Sequence, residues 1–181
     1  MTKKVYYNNR TVKNWIFEII QQINADNWRP DCVVGITRGG LVPSVMLSHW
    51  FNVPLHTVKI SLRDFAEDTE SNLWLPELAF GYSDSHSSSK QTFDVALSKN
   101  MLIVDDINDS GATFQWLIDD WQKSCLPSDS HWKDVWHNNV KFATLINNEA
   151  SDFKTVDYTG LSINKVDDPI WCVLPWEEFW R

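Results

Sequence analysis

The sequence predicts an α/β fold with a mostly parallel, buried sheet. Short apolar runs rich in β-branched residues recur along the 181 residues, at DCVVGI (31–36), PLHTVKIS (54–61), MLIVDD (101–106) and VKFATLI (140–146). Stretches of helical periodicity stand between them, and strands alternating with helices pair in parallel. The runs at 31–36 and 101–104 are apolar at every position, as in strands covered on both faces. A chain of this length is expected to form one domain, residues 1–181, with enough residues for a real core.

The elements follow in order. TVKNWIFEIIQQINA (11–25) places apolar side chains at 12, 15, 16, 19, 20 and 23, an amphipathic helical pattern with Thr11 as the expected N-cap. DCVVGI is the first strand and ends in TRGG. LVPSVMLSHWF (41–51) reads as a helix that tolerates Pro43 in its first turn. PLHTVKIS alternates and reads as a second strand. Residues 63–98 are long, polar and serine-rich, including SDSHSSSK (83–90), and a loop of that length is functional or disordered. MLIVDD is the third strand and ATFQWLIDDWQ (112–122) the helix after it. CLPSDSHWKDVWHNN (125–139) is a connector whose Trp132 and Trp136 are spaced for one helical turn. VKFATLI is the fourth strand and IWCVLPW (170–176) a fifth extended segment. No internal repeat is evident.

Composition narrows the function. The formal net charge is -8, with 43% hydrophobic and 22% charged residues. An acidic balance argues against non-specific nucleic-acid binding, which needs a basic surface. Any anionic ligand must therefore be held by backbone N–H groups, single basic residues or a divalent cation. Cys32, Cys125 and Cys172 are few, odd in number and far apart, which argues against a disulfide framework and fits a reducing cytoplasm. No stretch of about 18 apolar residues suggests a membrane span. The opening MTKKVYYNNR is basic but has no apolar run behind it, so it is not expected to act as a secretory signal. The eleven tryptophans are expected mainly to pack.

The chemistry concentrates in two glycine loops. Four of the six glycines, Gly35, Gly39, Gly40 and Gly111, lie just after expected strands and near helix starts. Helix N-termini offer unpaired N–H groups and a positive dipole end to phosphate. In open α/β sheets, ligands bind at the carboxyl ends of the strands. Two such loops suit a ligand with two separated phosphate groups. Neither loop matches a Walker loop or the GxGxxG fingerprint.

The acids of MLIVDDINDSGAT (101–113) need explaining. Asp105 and Asp106 end a strand, and adjacent carboxylates there would repel each other if buried. They make sense facing sugar hydroxyls or Mg²⁺, a hard cation that prefers oxygen ligands. Asp109, Ser110, Gly111, Ala112 and Thr113 then form a turn able to cup one phosphate. Asp109 or Ser110 would also serve as a helix N-cap, but capping does not account for the Asp105–Asp106 pair.

MLIVDDINDSGAT resembles the phosphoribosyl-pyrophosphate signature of the type I phosphoribosyltransferases: four apolar residues, two acids, two further residues, then Asp-Ser/Thr-Gly-x-Thr. GITRGG (35–40) is similar to the pyrophosphate loop of that family, and IWCVLPWEE (170–178) resembles the C-terminal segment of its xanthine–guanine and hypoxanthine branch. The resemblance implies a type I phosphoribosyltransferase-like fold, with 63–98 as a small hood and mobile loop. It implies transfer of a 5-phosphoribosyl group from phosphoribosyl pyrophosphate to a 6-oxopurine (guanine, xanthine or hypoxanthine), with Mg²⁺, in purine salvage. By the same resemblance, Asp105 and Asp106 hold the ribose hydroxyls directly or through Mg²⁺. Asp109 is the general-base carboxylate for the proton on the imidazole edge of the purine. Residues Asp109, Ser110, Gly111, Ala112 and Thr113 bind the 5′-phosphate, and Arg38, Gly39 and Gly40 the pyrophosphate. Thr37–Arg38 is the expected cis peptide. Trp171 stacks on the base, and the backbone at Cys172 faces its exocyclic edge. Lys90 of the mobile loop could reach the pyrophosphate. Family members are commonly dimers or tetramers, so a homo-oligomer is expected.

The sequence departs from the family in one place. After the VKFATLI strand the purine enzymes carry a lysine that recognises the 6-oxo group, whereas here the region reads NNEAS. Asn148 is expected to occupy that place, with Lys141 and Lys154 as candidates only if the alignment shifts. The serine–tyrosine pair of the hypoxanthine–guanine mobile loop is also not evident. Two other readings remain at this stage: a module on the same fold that senses phosphoribosyl pyrophosphate or nucleotide without transfer, and a transferase for another base.

Overall fold

The computed structural model describes residues 2–60, 62, 74–83, 92–93 and 96–178. In chain order its elements are β1 (Lys3–Tyr6), α1 (Asn9–Ala25), β2 (Cys32–Thr37), α2 (Leu41–Phe51) and β3 (Leu55–Lys59). Then come α3 (Trp74–Phe80), β4 (Tyr82–Ser83), β5 (Thr92–Phe93), β6 (Met101–Asn108) and α4 (Ala112–Ser124). The last are α5 (Trp132–Val135), β7 (Val140–Asn148), β8 (Tyr158–Ile163) and β9 (Ile170–Val173).

The main sheet has five strands in the order β3-β2-β6-β7-β8, each pairing parallel with its neighbour. Successive side chains of a strand point to opposite faces, and β6 shows the consequence. Met101 and Ile103 join one core cluster with Leu75, Phe114, Leu117 and Trp132, while Leu102 and Val104 join another with Ile16, Ile19 and Leu47. Helices α1 and α2 therefore cover one face, and α3, α4 and α5 the other. Both faces being covered explains the uninterrupted apolar runs of β2 and β6.

Strand order reverses between β2 and β6. Helix α2 leads outward from β2 to β3 on one side, and α4 leads outward from β6 to β7 on the other. At such a switch point the two connecting loops part and leave a crevice at the carboxyl ends of the strands. The two glycine loops stand there.

Several expectations are refined. The N-cap of α1 is Asn8, not Thr11: the Asn8 side chain accepts from the Thr11 N–H at 2.9 Å and the Thr11 hydroxyl at 3.1 Å. Asn is at least as good a cap as Thr, and the helix starts one half-turn earlier. IWCVLPW does not join the main sheet; β9 pairs parallel with β1, Lys3 opposite Ile170. Neither β1 nor β8 was anticipated, because KKVY and YTGLSI lack the continuous apolar signature of the central strands. Within the 63–98 stretch, α3 is a packed helix: Leu75, Ala79 and Phe80 are fully buried. Lys90 lies outside the described residues. The expected turn at 132–136 exists, and the rings of Trp132 and Trp136 stack with centroids 5.3 Å apart. Among the described residues no helix is long and apolar enough to cross a membrane.

Candidate active site

The loop after β2 is shaped by how closely it approaches β6. The Thr37–Arg38 peptide is cis. The Gly40 N–H donates to the Ile36 carbonyl at 3.0 Å, turning the chain directly into α2. A Cβ on Gly39 would fall on the carboxylate of Asp106, and one on Gly40 on the carbonyl of Val104. Only glycine lets this backbone lie against the neighbouring strand. The same closeness leaves Arg38 exposed at the rim of the crevice.

Strand β6 carries the acids into that crevice. Asp105 is buried and Asp106 half-buried, and the Asp106 N–H donates to Asp105 Oδ1 at 2.9 Å. The two carboxylates leave the strand on opposite faces, so they do not crowd each other. Burial, with the charge of Glu177 nearby, pushes the pKa of Asp106 up to about 6. Glu177 was expected to shape its segment, and it does, its carboxylate accepting from the Leu174 N–H at 2.7 Å. Its effect on Asp106 was not foreseen.

The turn from β6 into α4 runs through Asp109, Ser110, Gly111, Ala112 and Thr113. Gly111 is the residue before the helix and adopts φ 91°, in the left-handed region that favours glycine. Neither Asp109 nor Ser110 occupies the N-cap, so both are free of that duty. Ser110 and Ala112 are exposed and Thr113 half-buried. The Ser110 hydroxyl accepts from the Ala112 N–H at 3.4 Å. Behind the turn, the Asp152 N–H donates to the Ser110 carbonyl at 3.0 Å, and a Cβ on Gly111 would meet the Ser151 hydroxyl at 2.8 Å. The segment after β7 therefore buttresses the loop from outside.

Asn148 is part of that buttress. Its side chain is buried; Nδ2 donates to the Asp109 carbonyl at 2.9 Å, and Oδ1 accepts from the N–H groups of Ala150 at 3.2 Å and Lys165 at 3.1 Å. This geometry turns the amide onto the protein rather than toward a base, so the expected base contact has no support here. Lys141 bonds Asp26 and Tyr158, and Lys154 bonds the Glu149 carbonyl. The cation beside Asp109 is instead Lys165, with Nζ 2.8 Å from Asp109 Oδ1 and both side chains largely shielded from water. Sequence reasoning missed it. The available signal was a lysine in the polar INKVDDP stretch, six residues before Trp171.

Strand β9 closes the site. Trp171 is 50% exposed, which a core-packing role does not explain. Cys172 is half-buried; burial raises its pKa, and the charges of Lys165 and Asp109 both act on it, which sets β9 beside those residues. Residues 37–40, 105–113, 148 and 165 thus gather at the carboxyl ends of β2, β6 and β7, with 171–172 alongside. A cleft lined by Asp31, Asn100, His131, Asp134 and Asn139 opens at the amino ends of the same strands, away from these groups.

Comparison with known proteins bears on this arrangement. Residues 3–178 match the family model described as the phosphoribosyl transferase domain. The chain is 23% identical over 128 residues to xanthine phosphoribosyltransferase 1 of Saccharomyces cerevisiae; the match covers 67% of this chain and 61% of the yeast protein. Among solved structures, a purine phosphoribosyltransferase from Pyrococcus horikoshii superposes with a TM-score of 0.62 at 24% identity, covering 98% of this chain and 96% of the other. Helicobacter pylori xanthine-guanine-hypoxanthine phosphoribosyltransferase superposes with a TM-score of 0.66 at 15% identity, covering 99% and 96%. These two likenesses concern the fold.

Proposed function

The chain belongs to the phosphoribosyl transferase domain family, and on that premise we propose that it moves the 5-phosphoribosyl group of phosphoribosyl pyrophosphate onto a 6-oxopurine. The product is a nucleoside 5′-monophosphate and the leaving group pyrophosphate. The observation that carries this reading is the meeting of two glycine loops and the acids of β6 at the switch point between β2 and β6. The half-exposed Trp171, beside that crevice, favours a planar base as acceptor. The match to a yeast protein named for xanthine supports a purine.

In this reading the backbone N–H groups and hydroxyls of residues 109–113 hold the 5′-phosphate at the start of α4. Arg38, with the backbone of Thr37, Gly39 and Gly40, holds the pyrophosphate. Asp105 and Asp106 orient the ribose hydroxyls, so that carbon 1 lies between the leaving oxygen and the base nitrogen. Positioning of this kind supplies much of the rate. Asp109 accepts the proton that the base gives up as the new bond to carbon 1 forms. Trp171 stacks on the base, a contact worth on the order of 1–3 kcal/mol, and the Cys172 backbone borders its exocyclic edge.

The acids suit Mg²⁺. The raised pKa of Asp106 marks a carboxylate in a site short of positive charge. Among the described residues no three His, Cys, Asp or Glu side chains gather to hold a metal, so Asp105 and Asp106 would share the cation with oxygens of the substrate, the usual manner for Mg²⁺. When bound it would neutralise charge on the pyrophosphate as that group departs. The protein so read is a single transferase domain, residues 1–181, working as a homo-oligomer in purine salvage in the cytoplasm.

The test is to supply Mg²⁺ and phosphoribosyl pyrophosphate with guanine, xanthine, hypoxanthine, adenine, uracil and orotate in turn and follow pyrophosphate release. Turnover with one or more 6-oxopurines is expected. Tight phosphoribosyl-pyrophosphate binding without turnover of any base would make the protein a sensor, and turnover confined to uracil or orotate would sink the purine assignment.

A further inference from the structure

We propose that Lys165 recognises the 6-oxo oxygen of the base, and that Asn148 positions it against Asp109. This rests on the transfer to a purine proposed above and assigns the specificity of that site.

The geometry is specific. Lys165 stands in the turn between β8 and β9, and its ammonium lies 2.8 Å from Asp109 Oδ1. An ammonium carries three donors and a carboxylate only acceptors, so the pair presents a donor and an acceptor side by side. The imidazole edge of a 6-oxopurine presents the complement: the oxygen at position 6 accepts, and the adjacent ring nitrogen, when protonated, donates. These two atoms sit next to each other on one edge of the ring. Adenine places an amino donor at position 6, and two donors would then face each other. The Lys165–Asp109 pair therefore selects an oxo group over an amino group at that position.

Asn148 makes the pair rigid. One amide bonds the backbones of both partners, donating to the Asp109 carbonyl and accepting from the Lys165 N–H. The Glu149 N–H adds a bond to the Ile163 carbonyl at 2.8 Å, closing the end of β7 onto the end of β8. Lys165 is thereby delivered beside Asp109 from a segment more than fifty residues further along the chain. The half-exposed Trp171, on the strand that follows, offers a face for the same ring.

The experiment compares wild type with Lys165→Met and Lys165→Arg. Two readouts are used: kcat and KM for hypoxanthine and adenine at saturating phosphoribosyl pyrophosphate and Mg²⁺, and calorimetric binding of inosine and adenosine 5′-monophosphates, which needs no turnover. Loss of one charged hydrogen bond predicts a drop in kcat/KM for hypoxanthine on the order of 10- to 100-fold in Lys165→Met, carried mostly by KM. The preference for inosine over adenosine monophosphate should collapse by a similar factor, phosphoribosyl-pyrophosphate affinity should stay within about threefold, and Lys165→Arg should recover part of the preference. An unchanged hypoxanthine-to-adenine or inosine-to-adenosine preference in Lys165→Met overturns the proposal, as does an equal loss of base and phosphoribosyl-pyrophosphate affinity, which would make the ion pair purely structural. Should wild type transfer to no base, the transferase reading fails, while the nucleotide preference still judges Lys165.

Discussion

The side-chain amide of Asn148 donates to the backbone carbonyl of Asp109 at 2.9 Å, so the end of β7 fastens the loop that follows β6. A position expected to face the base instead holds the residue expected to take its proton. Substituting lysine there should not create a base contact. Asn148→Lys should unfold at lower denaturant, by about 2–4 kcal/mol, because it breaks three buried hydrogen bonds and buries a charge. Urea titration reads this, and an unchanged midpoint together with tighter hypoxanthine binding would return Asn148 to the base pocket.

Asp109→Asn keeps the shape of the loop but removes the proton acceptor. Turnover should fall by roughly 10²–10⁴, while phosphoribosyl-pyrophosphate affinity, measured by calorimetry, changes little. Equal losses in both would reduce Asp109 to an anchor for Lys165.

Gly39→Ala would drive a methyl group into the Asp106 carboxylate. The loop must then withdraw from β6. Phosphoribosyl-pyrophosphate affinity should weaken by at least about tenfold, with thermal stability reduced by about 1–3 kcal/mol. Wild-type affinity in this variant would show that the loop does not depend on its closeness to β6.

Asp106 makes ligand-free stability depend on pH. Its folded pKa, about 6, lies above its ordinary value of 3.8, mainly because burial penalises the charged form. The folded state therefore holds the proton more tightly than the unfolded chain does. This group's effect is most favourable at low pH, and stability falls as pH rises from about 4 to about 6. Asp106→Asn should flatten that slope and stabilise the ligand-free, chelator-treated protein near pH 7, by on the order of 2 kcal/mol. Denaturation midpoints at several pH values check the sign; a variant less stable than wild type at pH 7 would refute it.

Two tryptophans should separate function from packing. Trp171 is half exposed and Trp121 is 1% exposed in the core beneath α4. Trp171→Ala should raise the KM for base by roughly 5- to 150-fold, equivalent to about 1–3 kcal/mol of stacking, with a small change in melting temperature. Trp121→Ala should lose about 3–5 kcal/mol of stability. Reversal of these two profiles would move the base away from β9.

Much of this protein is written locally. The apolar runs of β2, β6 and β7 and the periodicity of α1 depend on neighbours within a few residues, and each formed where the pattern placed it. GITRGG and DDINDSGAT each carry their own turn chemistry, and placing both at strand ends put them at the mouth of a parallel sheet. Capping was less legible, since Asn8 and Thr11 compete over a span shorter than one helical turn.

What only the tertiary structure decided are pairings between distant segments. β1 finds β9 across most of the chain, and YTGLSI becomes an edge strand because β7 offers it an open side. A long-range contact leaves no periodicity in either partner. For the same reason Lys165 was invisible as a site residue: its sequence neighbourhood is an ordinary polar turn, and its meaning comes from the amide of Asn148 and the carboxylate of Asp109, which folding alone brings to it.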